Sequence, residues 1–167
     1  MTIGMKLATS QVQVAVPSRV EVESYQRFRR QVEEGVGRIN GSFGTLRSAP
    51  MHYINRSVTM QELVALYCAA DIMLVTPLRD GMNLVAKEFA ASRIDGDGVL
   101  VLSEFAGAAA ELGSAVVVNP YDVEAVATAI RSALDMTEGE RRSRMTSLRT
   151  RVLQYDVKTW ADSFLNQ

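Results

Sequence analysis

Hydrophobic and polar positions recur with two periods along the first seventy residues, and these periods predict strands that alternate with helices. Strict alternation over residues 11–16 predicts a strand that stops at Pro17. Apolar residues at three- and four-residue steps predict a helix over 20–39, which NGSFG at 40–44 is expected to end. A short strand is predicted over 51–55. A helix over 60–70 follows it, with Thr59 and Glu62 in a capping box.

The rest of the chain has apolar runs without alternation, at 72–75, 99–102 and 115–118. Such runs are typical of strands covered on both faces, as in a parallel sheet. Between and after them the pattern predicts helices, at 83–92, 107–113, 123–134 with Asp122 as its cap, 138–154 and 156–165. This order predicts an α/β fold with a doubly wound, Rossmann-like parallel sheet. The loop SRIDGDG at 92–98 is expected to be a mobile surface turn.

Composition narrows the class of protein. The 167 residues are 47% hydrophobic and 22% charged, which suits one globular domain. The net charge of -1 gives no overall basic field for nucleic acid, and no apolar run approaches the roughly 20 residues that span a bilayer. We therefore expect neither a nucleic acid nor a membrane as partner. The first residues show no signal-peptide pattern, and the single cysteine, Cys68, is expected to be buried, which fits a reducing, cytoplasmic location.

Other candidate chemistry is weak. His52 is the only histidine and lies in a predicted strand, so we expect a packed side chain rather than a catalytic base. Without a second histidine or cysteine we expect no metal site. The stretch 138–155 has five arginines against two glutamates, and we interpret it as a solvated helix face.

The strongest candidate site is TPLRDGMNLVAKE, residues 76–88, where a predicted strand passes into a helix. Ligands of parallel α/β sheets bind beyond the carboxyl ends of the strands. Gly81 would let the backbone turn and approach a ligand closely. Asn83 is a good N-cap, and the free N–H groups after it, with the helix dipole, favour a phosphate.

Two carboxylates bracket this helix start. Asp80 suits sugar hydroxyls because an ionised carboxylate only accepts hydrogen bonds, and Glu88 lies about one turn further along and could accept from a ribose. The arrangement suits a sugar nucleotide. An ordinary capped turn between a strand and a helix explains the same residues equally well.

The string LVTPLRDGMNLVAKEF closely resembles the signature of the trehalose-6-phosphate synthases, retaining glucosyltransferases of the GT-B type, and is most like their bacterial branch. Further strings resemble the family in family order: AVPSR, VGRINGSFG, HYINRS, VLSEFAGAAAEL, VNPYD and DVKTWADSFL. The resemblance implies that residues 1–167 form a single partial domain, the carboxy-terminal, nucleotide-sugar-binding domain of a GT-B enzyme. The helices at about 138–167 would pack on the amino-terminal domain.

Site residues follow from the matching strings. The resemblance implies that Asp80 is the catalytic-site carboxylate that binds the donor glucose hydroxyls, and that Arg19 contacts the acceptor phosphate. Val58 stands where the family packs against uracil, often with an aromatic residue. The remaining donor-binding positions run through the signature: Gly81, Met82, Asn83, Leu84, Val85, Ala86, Lys87 and Glu88. Ser103 and Glu104 end another strand and either reach the same crevice or cap the short helix.

The implied reaction transfers glucose from UDP-glucose to glucose 6-phosphate with retention, in trehalose biosynthesis. UDP-glucose is then a donor substrate, and we expect no cofactor. The family's DYSKG-type segment, with its cationic pair, and its glycine-rich loop are absent. We therefore expect this chain to be inactive alone and to need the amino-terminal half or a homo-oligomer. A non-catalytic sugar-nucleotide-binding or interaction module, a glucosylglycerol-phosphate synthase and a GDP-glucose donor remain open alternatives.

Overall fold

The computed structural model describes residues 2–5, 10–17 and 22–155. The chain divides into two compact units, Met1–Ala70 and Asp71–Gln167. Among the described residues, no helix is both long and apolar enough to cross a bilayer.

The first unit contains three strands and two helices. The strands are β1 (Thr2–Met5), β2 (Ser10–Val14) and β3 (Met51–Ile54), and the helices are α1 (Glu23–Phe43) and α2 (Met60–Ala69). Parallel pairing joins β2 to β3, whereas β1 pairs antiparallel with β2. The sequence did not predict β1, because its four residues are too few to show a period.

Helix α1 runs through the string that was expected to end it, so that prediction was wrong. The Asn40 side chain donates to the Met51 carbonyl and accepts from the Met51 N–H, both at 2.9 Å. An asparagine breaks a helix when its amide competes for nearby backbone groups. Here that amide is engaged by β3, so α1 continues to Phe43 and ends where the Gly44 N–H bonds to the Asn40 carbonyl.

Helix α2 confirms the predicted capping box. The Glu62 N–H bonds to the Thr59 hydroxyl and the Thr59 N–H to the Glu62 carboxylate, at 3.2 and 2.8 Å. The expected burial of Cys68 was wrong, since the thiol is exposed. Its neighbour Tyr67 is the buried residue of α2, and a step of one residue turns a helix by about 100°, which places Cys68 on the outer side. His52 is also exposed rather than packed.

The second unit is a three-stranded parallel sheet covered by helices. Its strands are β4 (Ile72–Val75), β5 (Val99–Ser103) and β6 (Val116–Val118), and its helices are α3 (Leu84–Ser92), α4 (Val123–Asp135) and α5 (Glu138–Gln154), with a short 3-10 helix at Gly107–Ala110. Strand β5 is central and pairs in parallel with both neighbours. The predicted helix over 156–165 lies outside the described residues.

Helices cover both faces of β5, which confirms the predicted doubly wound α/β arrangement in this unit. Val99 and Val101 share a buried cluster with Ala129 and Ala133 of α4. Leu100 and Leu102 are also fully buried, and alternation along the strand turns them to the opposite face. Helices α3 and α5 contact β5 and each other and supply that second layer.

The turn before β5 is fixed by ion pairs, contrary to the expected mobile loop. Arg93 is only 5% exposed and binds Asp95 at 3.0 and 2.8 Å. Asp97 binds Arg141 of α5. A Cβ on Gly98, which has φ of 99°, would lie 3.1 Å from the Arg93 guanidinium carbon, so this position favours glycine on two grounds.

The arginines of α5 make more contacts with other residues than the solvated helix face that the sequence predicted would make. Arg142 and Arg144 pair with glutamates one turn earlier, Arg149 donates to the Ala91 carbonyl, and Arg151 lies 4.5 Å from the Tyr155 ring. Of these contacts, the hydrogen bond of Arg149 joins α5 to α3, whereas the others lie within α5 or at its end.

Candidate functional site

Three loops of the second unit meet at one edge of its sheet. Strands β4 and β5 pair with Val75 opposite Leu102, and β5 and β6 pair with Ser103 opposite Val118. Parallel strands in this register end together, so the loops 76–83, 104–106 and 119–122 leave from the same edge. This is the edge at which ligands of parallel α/β sheets bind.

Backbone hydrogen bonds clip the first of these loops to the second. The Asp80 N–H donates to the Phe105 carbonyl at 3.2 Å, and the Gly107 N–H donates to the Asp80 carbonyl at 3.0 Å. The Ala108 N–H donates to the Met82 carbonyl at 2.7 Å. We call these three hydrogen bonds the loop clip. They continue the parallel pairing of β4 and β5 past the strand ends, as the bridge between Asp80 and Ala106 shows.

The carboxylate of Asp80 is half-buried and organises the turn. Oδ1 accepts from the Met82 N–H at 3.2 Å, and Oδ2 accepts from the Asn83 side-chain nitrogen at 3.0 Å. A carboxylate has about four acceptor positions, so these two bonds fix its orientation and leave capacity for a ligand hydroxyl.

Asn83 is the cap of α3, as predicted, because its side-chain oxygen accepts from the Ala86 N–H at 3.0 Å. It is also the left-handed residue of the loop, with φ of 70°. The chain bends at Gly81, as expected, although Gly81 has no positive φ. A Cβ at Gly81 would nevertheless meet nothing within 4 Å, so the space before the helix is open.

A helix start of this kind attracts anions. The first N–H groups of α3, at Leu84 and Val85, have no acceptor inside the helix and point out of its end together with the positive end of its dipole. Both residues belong to the predicted donor-binding set.

An open cleft of about 320 Å³ lies beside the loop clip. Its lining residues come from the first two loops and the short helix: Arg79, Asp80, Gly81, Glu104, Phe105, Ala106, Gly107 and Ala110. The Phe105 ring meets Tyr121 of the third loop edge to face, with centroids 5.8 Å apart. The cleft therefore combines exposed charge with one aromatic wall.

Charged groups of α3 differ in their surroundings. The Lys87 ammonium is 2.8 Å from the Glu111 carboxylate, with both side chains mostly buried. A ligand phosphate would share that ammonium with Glu111. Glu88, on the second turn of α3, is exposed at the surface.

The other predicted residues lie elsewhere. Val58 is half-buried in the first unit, between β3 and α2. Arg19 lies outside the described residues. Ser103 is fully buried, and its hydroxyl accepts from the Phe105 N–H at 3.1 Å, so it shapes the turn after β5. In the described part of the chain, His, Cys, Asp and Glu form no group of three or more that could hold a metal ion.

Sequence reasoning missed Arg79, Phe105 and Gly107 as components of this edge. Each stands directly in or beside a string that was singled out, and a glycine just after a buried strand is a usable signal of close backbone approach.

Comparison with known proteins shows which protein family this chain belongs to. The profile of glycosyltransferase family 20 matches residues 5–167, so the chain belongs to that family. The trehalose-6-phosphate synthases of Mycobacterium avium and Mycobacterium tuberculosis are 55% and 56% identical to it over 93% of its length. The family resemblance drawn from the sequence strings is confirmed.

Solved structures agree with the fold. A UDP-forming alpha,alpha-trehalose-phosphate synthase from Burkholderia xenovorans superposes with a TM-score of 0.88 at 46% identity, covering 93% of this chain and 35% of its own. The Escherichia coli structure bound with UDP-2-fluoro glucose gives the same TM-score and identity, with 93% and 35% of the two chains covered. This chain spans about a third of the length of these relatives.

Proposed function

We propose that this chain is the donor-binding part of a retaining glucosyltransferase that transfers glucose from UDP-glucose to glucose 6-phosphate and yields trehalose 6-phosphate and UDP. One observation carries the proposal. The signature turn is preorganised, with the Asp80 carboxylate fixed by two hydrogen bonds and Asn83 capping α3, in a chain about half identical to trehalose-6-phosphate synthases.

The proposed donor lies along the helix start. The free acceptor positions of Asp80 receive glucose hydroxyls, and Gly81, Met82 and Asn83 line the sugar. The N–H groups at the start of α3 and its dipole receive the diphosphate. Glu88, further along the helix, accepts from the ribose.

The proposed chemistry depends on stabilising the leaving diphosphate. Charge that develops on a leaving group is stabilised best by donors already in position, and the start of α3 provides such donors. In a front-face reaction the diphosphate itself takes the proton of the acceptor hydroxyl. This scheme uses no cofactor, and UDP-glucose enters as a substrate.

The acceptor side is shared with polypeptide that this chain does not contain. The relatives are about three times as long, and one of them has been solved in complex with glucose 6-phosphate. We infer that Arg19 contributes to the acceptor phosphate, that Val58 packs near the uracil, and that an amino-terminal half completes the site. In this scheme residues 1–167 are the carboxy-terminal domain, and the helices from about 138 onward pack on that half. We also infer a cytoplasmic location, which a chain with a single cysteine favours.

Titration calorimetry of the purified chain with UDP-glucose tests the proposal. A half-site should bind near millimolar, about 4 kcal/mol. Asp80→Asn and Glu88→Gln should abolish the heat, whereas Asp135→Asn should not. Asp135 is an exposed carboxylate at the last residue of α4, a helix that runs back from the site edge, so it is a matched control. GDP-glucose in a parallel titration tests the base preference.

Absence of binding by a folded chain would contradict the proposal, as would equal loss of binding in Asp135→Asn.

A further inference from the structure

Gly107 stands at a close approach between the two loops that the loop clip joins. A Cβ built on it would lie 2.0 Å from the Gly81 carbonyl oxygen and 2.8 Å from the Gly81 carbonyl carbon. Real side-chain carbons do not approach backbone atoms so closely, and neither partner is a flexible side-chain end. Any other residue at 107 must therefore push the two loops apart.

The contact that glycine permits is the loop clip. The Gly107 N–H donates to the Asp80 carbonyl, and the Ala108 N–H donates to the Met82 carbonyl at the shorter distance of 2.7 Å. Together with the bond from Asp80 N–H to Phe105, these bonds hold the backbone on both sides of Gly81. The carboxylate of Asp80 and the cap residue Asn83 extend directly from this held segment.

We propose that Gly107 is a positioning residue for the donor site, a role that rests on the function proposed above. It acts through its backbone contact with the other loop, since it has no side chain to offer a substrate. Its missing side chain lets the segment after β5 lie against residues 80–82, and this contact sets the orientation of Asp80 and the entry of the chain into α3. A site whose ligand-contacting groups are already in position binds more tightly than a site that must be ordered on binding.

Hydrogen exchange and ligand titration of Gly107→Ala test the role, with Gly113→Ala as the matched control. Gly113 lies just after the same short helix, is exposed, and a Cβ there would meet nothing within 4 Å. Both are measured at a temperature at which they are fully folded. In Gly107→Ala the amides of Asp80 and Ala108 should exchange about tenfold faster and UDP-glucose should bind about tenfold more weakly, since tenfold corresponds to about 1.4 kcal/mol, near the upper end of what one net hydrogen bond contributes. Gly113→Ala should match the wild type in both.

Unchanged exchange in Gly107→Ala would overturn the role, and so would faster exchange with unchanged affinity, because the clip would then not serve the site. Equal effects in both variants would also overturn it.

A second measurement on the wild type needs no variant and covers the case in which Gly107→Ala does not fold. If binding requires the loop clip, saturating UDP-glucose must in turn slow exchange at Gly107 and Ala108, because such coupling is reciprocal. Slower exchange at the start of α3 with no change at 107 and 108 would contradict the positioning role. No slowing at any of these amides would instead contradict the proposed function itself, so the two failures are distinguishable.

Discussion

Arg141 of α5 and Asp97 of the turn before β5 form a two-point ion pair, with Nε 2.8 Å from Oδ1 and Nη2 3.1 Å from Oδ2. Arg141 also donates to the Met136 carbonyl at 3.0 Å. The pair joins segments 44 residues apart and ties α5 to the parallel sheet that carries the candidate site. Both side chains are about a quarter exposed, so solvent screens the pair less than it screens a surface salt bridge.

This pair should make the stability of the second unit depend on acid pH. Hydrogen bonds from the Arg141 guanidinium lower the pKa of Asp97 from 3.8 to about 2. Because the folded pKa is depressed, the stabilisation is complete above the unfolded pKa and is lost as pH falls from about 4 towards 2. Asp97→Asn should therefore cost on the order of 2 kcal/mol at pH 7 and progressively less below pH 4.

Urea unfolding at a series of pH values measures this difference, with Asp135→Asn as the control that removes an exposed carboxylate. The series runs from pH 7 to about pH 2.5, which lies well below the unfolded pKa of Asp97. If the free-energy cost of Asp97→Asn stays constant over this range, the ion pair is not the source of that cost.

Asn40 should stabilise the first unit through β3. Asn40→Ala leaves both the N–H and the carbonyl of Met51 without their side-chain partner, which should cost about 1 to 3 kcal/mol. Ser42→Ala, an exposed change in the same helix, should cost little. Thermal unfolding of the two variants makes the comparison, and equal melting temperatures would argue against the side-chain bridge.

The left-handed conformation of Asn83 should appear in a comparison of two substitutions. Asn83→Gly loses the side-chain cap but adopts φ of 70° without strain, whereas Asn83→Ala loses the cap and is strained as well. We expect the alanine variant to be less stable than the glycine variant by about 1 kcal/mol. Chemical denaturation of both is the measurement, and an alanine variant at least as stable as the glycine variant would contradict the assigned conformation.

Lys87 and Glu111 should be energetically coupled. The pair is 2.8 Å apart, and its side chains are 17% and 22% exposed, so each is a costly charge to leave alone. A double-mutant cycle of Lys87→Met and Glu111→Gln should give a coupling of about 1 kcal/mol or more. Additive single losses would mean that the contact contributes nothing to stability.

Sequence patterns predicted the second unit well because burial on both faces leaves a strong signal. The apolar runs located β4, β5 and β6 to within about a residue, and the caps at Thr59, Asn83 and Asp122 are local in sequence. Two of the errors come from contacts between distant segments. Asn40 engages a strand eleven residues away, and Asp97 pairs with Arg141, 44 residues further along the chain.

The candidate site was likewise predictable only where its signals are local in sequence. One short string, residues 76–88, indicated where a ligand would bind, but neither the residues after β5 nor the geometry of the site could be inferred from it. Gly107 acts on a segment 26 residues earlier in the chain, through a contact that only the folded sheet creates. No local pattern contains such a contact.

The proposed function depends on the binding of a sugar nucleotide at the start of α3. The most direct measurement is an NMR titration of the isotope-labelled chain with UDP-glucose, read at each backbone amide. We expect saturable shifts that are largest at Met82, Leu84, Val85 and Ala86 and that disappear in Asp80→Asn. Shifts confined to other parts of the chain, or none at all in a well-dispersed spectrum, would contradict it.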